Sequence, residues 1–303
     1  MTRGRLALRP RRMTAMLALA AALVVGCGTN RDDAAAPAAA TQRLISLVPA
    51  ATEMLFAMGA GPEMVGVSSF DQFPPEVAAL PRLGALIDPD FERILALRPT
   101  LVVVYASQDG LMERLERASI ATYRYRHATD DGLADIPRTL RELGARVARA
   151  AAADAVASGI EREIEAVRGR VATRPRPSTA LVFGREPGAL RGIYVSGGVG
   201  FLHDLLEAAG GRNVFEDVEQ ESLQASTEVM LARKPDVIIE LRTAPATPEL
   251  LDIERSVWNR LASLPAVRSK RVYVLSNPAL AIPGPRIAEA ARAFLAVLHP
   301  DAP

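Results

Sequence analysis

Two stretches of the chain repeat one pattern at a constant spacing, and this repeat restricts the possible folds more than any other feature. Residues 92–104 read ERILALRPTLVVV and residues 228–240 read EVMLARKPDVIIE, an offset of 136 positions. In both, a glutamate opens a helical pattern that ends near a proline, and an aliphatic run typical of a buried parallel strand follows. The repeat predicts two topologically related α/β halves, and 303 residues are enough to form them.

The segment between the two halves has no strand signal. Residues 140–171 are rich in Ala, Arg and Glu, with apolar residues at helical spacing. They predict either one helix of more than about 25 residues or two helices with a break near Gly159. We therefore expect an α/β protein with two β/α lobes, residues 43–139 and 174–303, whose sheets are of parallel type. One long connecting helix, residues 140–173, would join them, and a ligand cleft would lie between them.

The first residues of the chain predict export. Five arginines and no acidic residue lie in residues 1–26, and an apolar run of thirteen residues, 13–25, follows the basic part. That run is too short to span a bilayer as a mature helix, but it fits the core of a signal peptide. It ends at Val24-Val25-Gly26-Cys27, which resembles the lipobox of bacterial lipoproteins, where the cysteine receives lipid after cleavage.

These features predict a lipoprotein signal peptide over residues 1–26, lipidation of Cys27, and a flexible tether over residues 27–42, which are rich in Ala. The mature protein is then expected in the cell envelope, held by its lipid anchor on the periplasmic or extracellular face of a bacterial membrane. A free cysteine behind an ordinary secretory signal, and twin-arginine export through Arg11 and Arg12, are the alternatives.

Charge and composition exclude several classes of function. Without the five N-terminal arginines, 31 basic and 35 acidic residues remain, a net charge of −4, which argues against a nucleic-acid partner. One cysteine excludes an intramolecular disulfide and a multi-cysteine metal site, and His127, His203 and His299 lack the spacing of metal ligands. We predict no metal site and no resident cofactor.

Signatures of catalysis are also missing from the sequence. It has no Gly-x-Ser-x-Gly elbow and no histidine-based triad, and residues 196–200, SGGVG, lack the lysine of a phosphate-binding loop. We expect a protein that is not an enzyme. An extracytoplasmic hydrolase using two carboxylates across the cleft is the lower alternative, and a cleft filled by its own side chains would favour a lipid-anchored scaffold or adhesin.

Motifs spread over residues 42–299 resemble the iron-complex and cobalamin substrate-binding proteins of ABC importers. The motifs that carry the resemblance are RLISLVPAATE at 43–53, VGVSS at 65–69 with Pro74 and Pro75, ERILALRP at 92–99, Ser196-Gly197, AGGRNVF at 209–215, and EVMLARKP at 228–235. The resemblance implies a protein that captures a metal-complex ligand in its cleft and delivers it to a permease dimer with its ATPases. The chain is most similar to the cobalamin-binding type, and haem or ferric-siderophore binding of the same class is the alternative.

The resemblance also implies roles for particular residues. Glu92 and Glu228 fall on positions where one acidic residue of each lobe pairs with permease arginines, and each follows a predicted N-cap, Asp90 or Ser226. Phe70, Tyr105 and Tyr194 match aromatic residues that pack on the corrin ring. Leu86 and Ser222 replace tryptophans of the cobalamin-binding type, and Asn277 replaces an acid, so that the resemblance at these positions implies a large planar ligand rather than cobalamin specifically.

The alternative ligands would need other side chains. Haem requires an axial ligand, for which Tyr105, Tyr123, Tyr125, Tyr194 and His127 are candidates. A ferric siderophore is anionic and requires converging arginines, for which Arg185, Arg191, Arg242 and Arg286 are candidates.

Overall fold

The computed structural model describes residues 42–126 and 131–302. The predicted signal peptide, Cys27, the tether before Gln42, and His127 lie outside the described residues. Across those two ranges, no helix is both long and apolar enough to cross a membrane.

The first lobe contains a parallel sheet. Its strands are β1 (Leu44–Ser46), β2 (Met64–Val67), β3 (Leu101–Tyr105) and β4 (Ala121–Tyr125), and its helices are α1 (Pro49–Ala57), α2 (Phe91–Ala96), α3 (Asp109–Arg117) and α4 (Asp135–Arg146). The strand order is β2-β1-β3-β4, and all four strands run parallel. Helical segments separate successive strands, as parallel neighbours require. The aliphatic run of β3 is buried at four of its five residues, which confirms the predicted interior strand.

The segment that joins the lobes differs from the prediction of one helix over residues 140–173. Residues up to Arg146 belong to α4, the chain turns at Ala148 with φ of 54°, and α5 (Ala150–Val171) then folds back along α4. Gly144 allows this close packing, because a Cβ on it would stand 2.2 Å from the Cβ of Ala153. The connecting helix is therefore α5, and Gly159 lies inside it rather than at a break.

The second lobe has a mixed sheet. Its strands are β5 (Ser178–Gly184), β6 (Ile193–Ser196), β7 (Arg212–Asn213), β8 (Ser222–Ala225), β9 (Val237–Arg242) and β10 (Val272–Ser276), and its helices are α6 (Phe201–Ala208), α7 (Thr227–Arg233), α8 (Pro248–Val257), α9 (Pro265–Arg268) and α10 (Ile287–Leu298). The order is β10-β9-β5-β6-β8, with β7 also paired to β5. β5, β7, β9 and β10 are parallel, whereas β6 runs antiparallel to β5 and to β8. The antiparallel β5–β6 pair was not predicted; loop 185–192 is too short for a crossover.

The repeated segment forms the same unit in both lobes. α2 leads into β3, and α7 leads into β9. Arg98 and Lys234 hold matching positions after the two helices, and both have left-handed backbones, with φ of 47° and 50°. β3 and β9 are each flanked by a strand on both sides. The repeat therefore extends to the backbone conformation, as a duplicated topology requires.

One apolar core connects the lobes. A buried stripe of α5 at helical spacing, Ala153, Ala157, Ile160, Ile164, Val167 and Val171, faces this core. The same cluster contains Leu44 and Val103 of the first sheet and Leu181 and Val237 of the second. Each lobe has a further cluster of its own. Because the lobes share a core through α5, we expect them to move little relative to one another.

Candidate functional site

A cavity of about 400 Å³ lies between the lobes. Much of its lining comes from loops that follow the carboxyl ends of parallel strands, where α/β proteins characteristically bind ligands. The first lobe contributes Pro49, Glu53, Phe70, Gln72 and Phe73, and the second contributes Thr243, Ala244, Pro278, Ile282 and Arg286. The predicted cleft is therefore present, and it is open rather than filled by side chains.

A second cavity of about 250 Å³ continues the cleft into the second lobe. Thr243 lines both cavities. The remaining lining residues are mostly apolar: Phe183, Val199, Gly200, Phe201, Leu202, Glu221, Ser222 and Ala281. Together the two cavities offer aromatic faces to a broad apolar ligand.

An ion pair joins the lobes at the wall of the larger cavity. Glu53 of α1 accepts two hydrogen bonds from the guanidinium of Arg286, at 2.6 and 2.9 Å. The same guanidinium lies 3.9 Å from the ring centre of Phe73. Glu53 is only 4% exposed. Burial raises the pKa of Glu53, although the bond from Arg286 opposes this shift.

Asp71 is buried beside the cleft with an incomplete set of partners. Its Oδ2 accepts the Ser68 backbone N–H at 2.8 Å, while its Oδ1 has no hydrogen-bond partner in the described part of the chain. Burial raises the pKa of Asp71, and hydrogen bonds from Ser68 and Thr52 oppose that change. Burial, with a smaller contribution from the charge of Asp71, also raises the pKa of Tyr105.

The predicted ligand residues divide into two groups. Phe70 lines the larger cavity with 69% of its surface exposed, and Ser222 lines the smaller one. Tyr194 packs its ring at 6.5 Å from that of Phe183, which lines the smaller cavity. These three residues lie on or directly behind the cleft wall.

The other predicted ligand residues are not in the lining of the two cavities. Tyr105 packs edge-on against Tyr125 at 6.0 Å. Leu86 accepts a bond from the Gln108 side chain through its carbonyl. Asn277 caps the 3-10 helix Pro278–Ala281 by accepting the Ala279 N–H. Asn277 directly precedes Pro278, which lines the larger cavity.

All four arginines predicted for an anionic ligand are paired with carboxylates. Arg185 is buried and bonds Glu240 at 3.0 Å and Glu254 at 2.8 Å. Arg242 bonds the same two carboxylates, Arg286 bonds Glu53, and Arg191 bonds Glu186. Within residues 42–126 and 131–302, no cluster of three or more His, Cys, Asp or Glu could hold a metal ion.

The two predicted docking glutamates occupy matching positions. Asp90 caps α2 by accepting the Arg93 N–H, and Ser226 caps α7 by accepting the Val229 N–H, so that both predicted N-caps are confirmed. Glu92 and Glu228 each lie in the first turn and are exposed. Glu92 lies 3.8 Å from Arg114. The hydroxyl of Ser226, followed by the backbone N–H of Glu228 itself, lowers the pKa of Glu228.

Comparison with known proteins assigns this architecture to a family. The family described as periplasmic binding protein matches residues 44–279. The chain belongs to this family. The vitamin B12-binding protein of Salmonella typhimurium is 33% identical over 230 residues, which cover 75% of this chain and 81% of that protein.

Solved structures of other periplasmic binding proteins share the fold. The vitamin B12-binding protein of Vibrio cholerae has a TM-score of 0.71 and 24% identity over 85% of this chain and 96% of its own. A haem-binding protein from Pseudomonas aeruginosa has a TM-score of 0.74 and 24% identity over 86% and 94%. A protein named for vitamin B12 and a protein named for haem thus match the fold of this binding protein with similar TM-scores.

Sequence reasoning missed several residues that line the cleft of this binding protein. Glu53 carried a usable signal, because a single acid inside the apolar pattern of α1 predicts a buried, paired charge. Phe201 follows Gly200 at the start of α6, a position that the sequence could not place in the cleft. Phe73, Thr243 and Glu221 gave no local signal.

Proposed function

We propose that this periplasmic binding protein captures a corrinoid outside the cytoplasm and delivers it to an ABC permease. The 33% identity to a protein named for vitamin B12 binding supports this assignment. The aromatic wall formed by Phe70, Phe73, Phe183 and Phe201 also supports it, because a broad flat macrocycle buries a large area against such rings.

The pairing of Arg286, the arginine that lines the larger cavity, is the observation that carries the choice of ligand. A ferric siderophore is anionic and haem carries propionates, so that either ligand favours free guanidinium groups. Here Arg185, Arg191, Arg242 and Arg286 are each bound to a carboxylate. Neutral amides surround a corrinoid ring, and they need no such charge. The one arginine in the lining of the two cavities is thus neutralised by Glu53, which favours a corrinoid over the two alternatives.

Titration of the purified protein with cobalamin, cobinamide, haem and a ferric siderophore tests the proposal by absorbance and calorimetry. We expect a corrinoid to bind most tightly. Phe70→Ala should weaken corrinoid binding about 10-fold through lost ring contact. Ile87→Ala, an exposed apolar truncation in the same lobe that is not in the cavity lining, is the matched control. Preferential binding of haem or siderophore would refute the corrinoid assignment.

We propose that Glu92 and Glu228 dock the protein on the permease. Their matched, capped and exposed positions suit a partner with two related subunits. Glu92→Gln combined with Glu228→Gln should abolish capture of the permease in detergent while leaving ligand affinity unchanged. Glu249→Gln is the control, because Glu249 also lies in the first turn of a capped helix, α8. Undiminished capture by the double variant would contradict the docking role.

Membrane anchoring through Cys27 completes the proposal. A lipidated cysteine bearing several acyl chains holds a protein stably on a bilayer, which a single chain does not. Cys27→Ser should move the protein from the membrane fraction to the periplasmic or culture fluid and abolish incorporation of labelled palmitate. Membrane retention of that variant would refute the lipoprotein assignment.

A further inference from the structure

Glu221 is a carboxylate in the mostly apolar lining of the smaller cavity. It lies directly before β8, is partly buried, and lines this cavity with Phe183, Phe201 and Leu202. Its Oε1 lies against Gly200, where an added Cβ would stand 2.9 Å away. The side chain is therefore held at the start of α6, on the cavity wall.

Glu221 has no partner within the described ranges, unlike the other carboxylate of the cleft lining. Glu53 is bound by Arg286. Glu221 forms neither an ion pair nor a side-chain hydrogen bond with any described residue. Arg126 lines a small neighbouring gap with Glu221, yet the two do not form an ion pair.

Ligand binding changes the environment of Glu221. A bulky ligand that fills the smaller cavity displaces water from the carboxylate, and a desolvated charge without a hydrogen bond is strongly unfavourable. A ligand that places an N–H donor in this cavity replaces the lost water. A ligand that places a carboxylate there adds like-charge repulsion.

We propose that Glu221 determines specificity by selecting a ligand whose periphery presents N–H donors, such as carboxamides, and by rejecting one that presents carboxylates. The inference rests on the proposed function, which supplies the macrocyclic ligand. It adds the chemistry of the peripheral group of that ligand that enters the smaller cavity. The backbone carbonyl of Glu221 accepts the Gly197 N–H, but its side chain forms no hydrogen bond or ion pair with the described residues, so substitution of the side chain should leave the melting temperature unchanged.

Two ligand pairs and two variants test the proposal. Cobinamide carries amides where cobyrinic acid carries carboxylates, and haem carries propionates that its dimethyl ester masks. Calorimetry should show that Glu221→Gln lowers the cobinamide-to-cobyrinic-acid affinity ratio about 10-fold, mainly because the acid binds more tightly. Glu219→Gln removes the same charge from an exposed site two residues away and should leave the ratio at its wild-type value.

The possible outcomes separate this proposal from the proposed function. An unchanged ratio in Glu221→Gln, or a wild-type preference for cobyrinic acid, overturns the role of Glu221. Binding of haem and of no corrinoid overturns the corrinoid assignment, and the ester-to-acid ratio of the haem pair then tests Glu221 in the same way. Failure of both macrocycles to bind overturns both proposals.

Discussion

The repeated helix–strand unit has the same backbone in both lobes but different chemistry at one buried position. Val104 of β3 and Glu240 of β9 hold the same place in the repeat, and they are 0% and 1% exposed. Val104 lies in an apolar cluster with Leu111 and Leu115. Glu240 instead bonds Arg185, Arg242 and the indole N–H of Trp258, which donates at 2.8 Å.

This difference shows that topology and interior chemistry are separable. An apolar interior tolerates many substitutions of similar volume. A buried ion network is favourable only when every charge has its partners, and removing one charge leaves the others desolvated. The first lobe is therefore expected to tolerate change at position 104 better than the second lobe tolerates change at position 240.

The largest expected effect comes from replacing Glu240 with valine, the residue at the equivalent position 104 of the first lobe. Glu240→Val removes a partner from Arg185, Arg242 and Trp258, and it leaves positive charge buried with Glu254 as the remaining carboxylate. We expect the free energy of unfolding in urea to fall by about 4 kcal/mol.

Two matched variants show whether the network causes that loss. Val104→Ala removes apolar volume from the equivalent position and should cost about 2 kcal/mol. Arg191→Ala breaks the exposed pair with Glu186 and should cost less than about 1 kcal/mol. If Glu240→Val and Val104→Ala lost the same free energy of unfolding, the ion network would need Glu240 no more than the apolar interior needs Val104.

The same comparison explains what the sequence could predict. The helix, cap and strand of the repeat depend on neighbouring residues, so Asp90, Ser226 and both interior strands were predicted correctly. The partners of Glu240 could not be predicted, because Arg185 lies 55 residues away and only the fold brings it close. The break before α5 depends likewise on packing of Gly144 against Ala153.

The candidate site was predicted in outline for the same reason. The strand-end position of Phe70 follows from the order of elements, whereas Ser222, the first residue of β8, was a candidate through the family resemblance; both residues line the cleft. Tyr105 ends a strand too, yet its ring packs on Tyr125 instead. Which way a ring at a strand end turns depends on neighbouring side chains, and the periodicity of the sequence does not encode that choice.

A second substitution tests the one ion pair described above that joins the lobes across the cleft wall. Arg286→Met keeps much of the aliphatic volume but leaves Glu53 buried without a counter-ion. We expect a loss of about 3 kcal/mol in urea unfolding. Arg292→Met is the control, because Arg292 pairs with Glu163 between α10 and α5 at an exposed site. Equal losses in the two variants would argue that burial of the Glu53 pair has no energetic consequence.

A smaller effect of opposite sign is expected at Asp71, whose carboxylate forms no ion pair with residues 42–126 or 131–302, although Arg82 bonds its backbone carbonyl. Burial raises the pKa of Asp71, so the folded protein favours the protonated carboxyl. This stabilisation of the fold is present below pH about 4 and is lost as the pH rises through the folded pKa. Asp71→Asn should therefore be equal to the wild type near pH 4 and more stable by about 1 kcal/mol at pH 7. Urea unfolding across this pH range measures the difference, and a variant less stable at pH 7 would show that the ionised carboxylate is favourable there.

The smallest expected effect compares the caps of the two repeated helices. Asp90 and Ser226 each accept one backbone N–H, at 3.0 and 3.3 Å, and only Asp90 adds a negative charge at the helix start. Asp90→Ala should cost about 1 kcal/mol and Ser226→Ala about 0.5 kcal/mol. The second variant also removes the hydroxyl that lowers the pKa of Glu228, so this pKa should rise toward its ordinary value in an NMR titration. Because Glu228 stays ionised at neutral pH in either case, the variant should still be captured by the permease, and loss of capture would mean that the cap positions the glutamate rather than only sets its pKa.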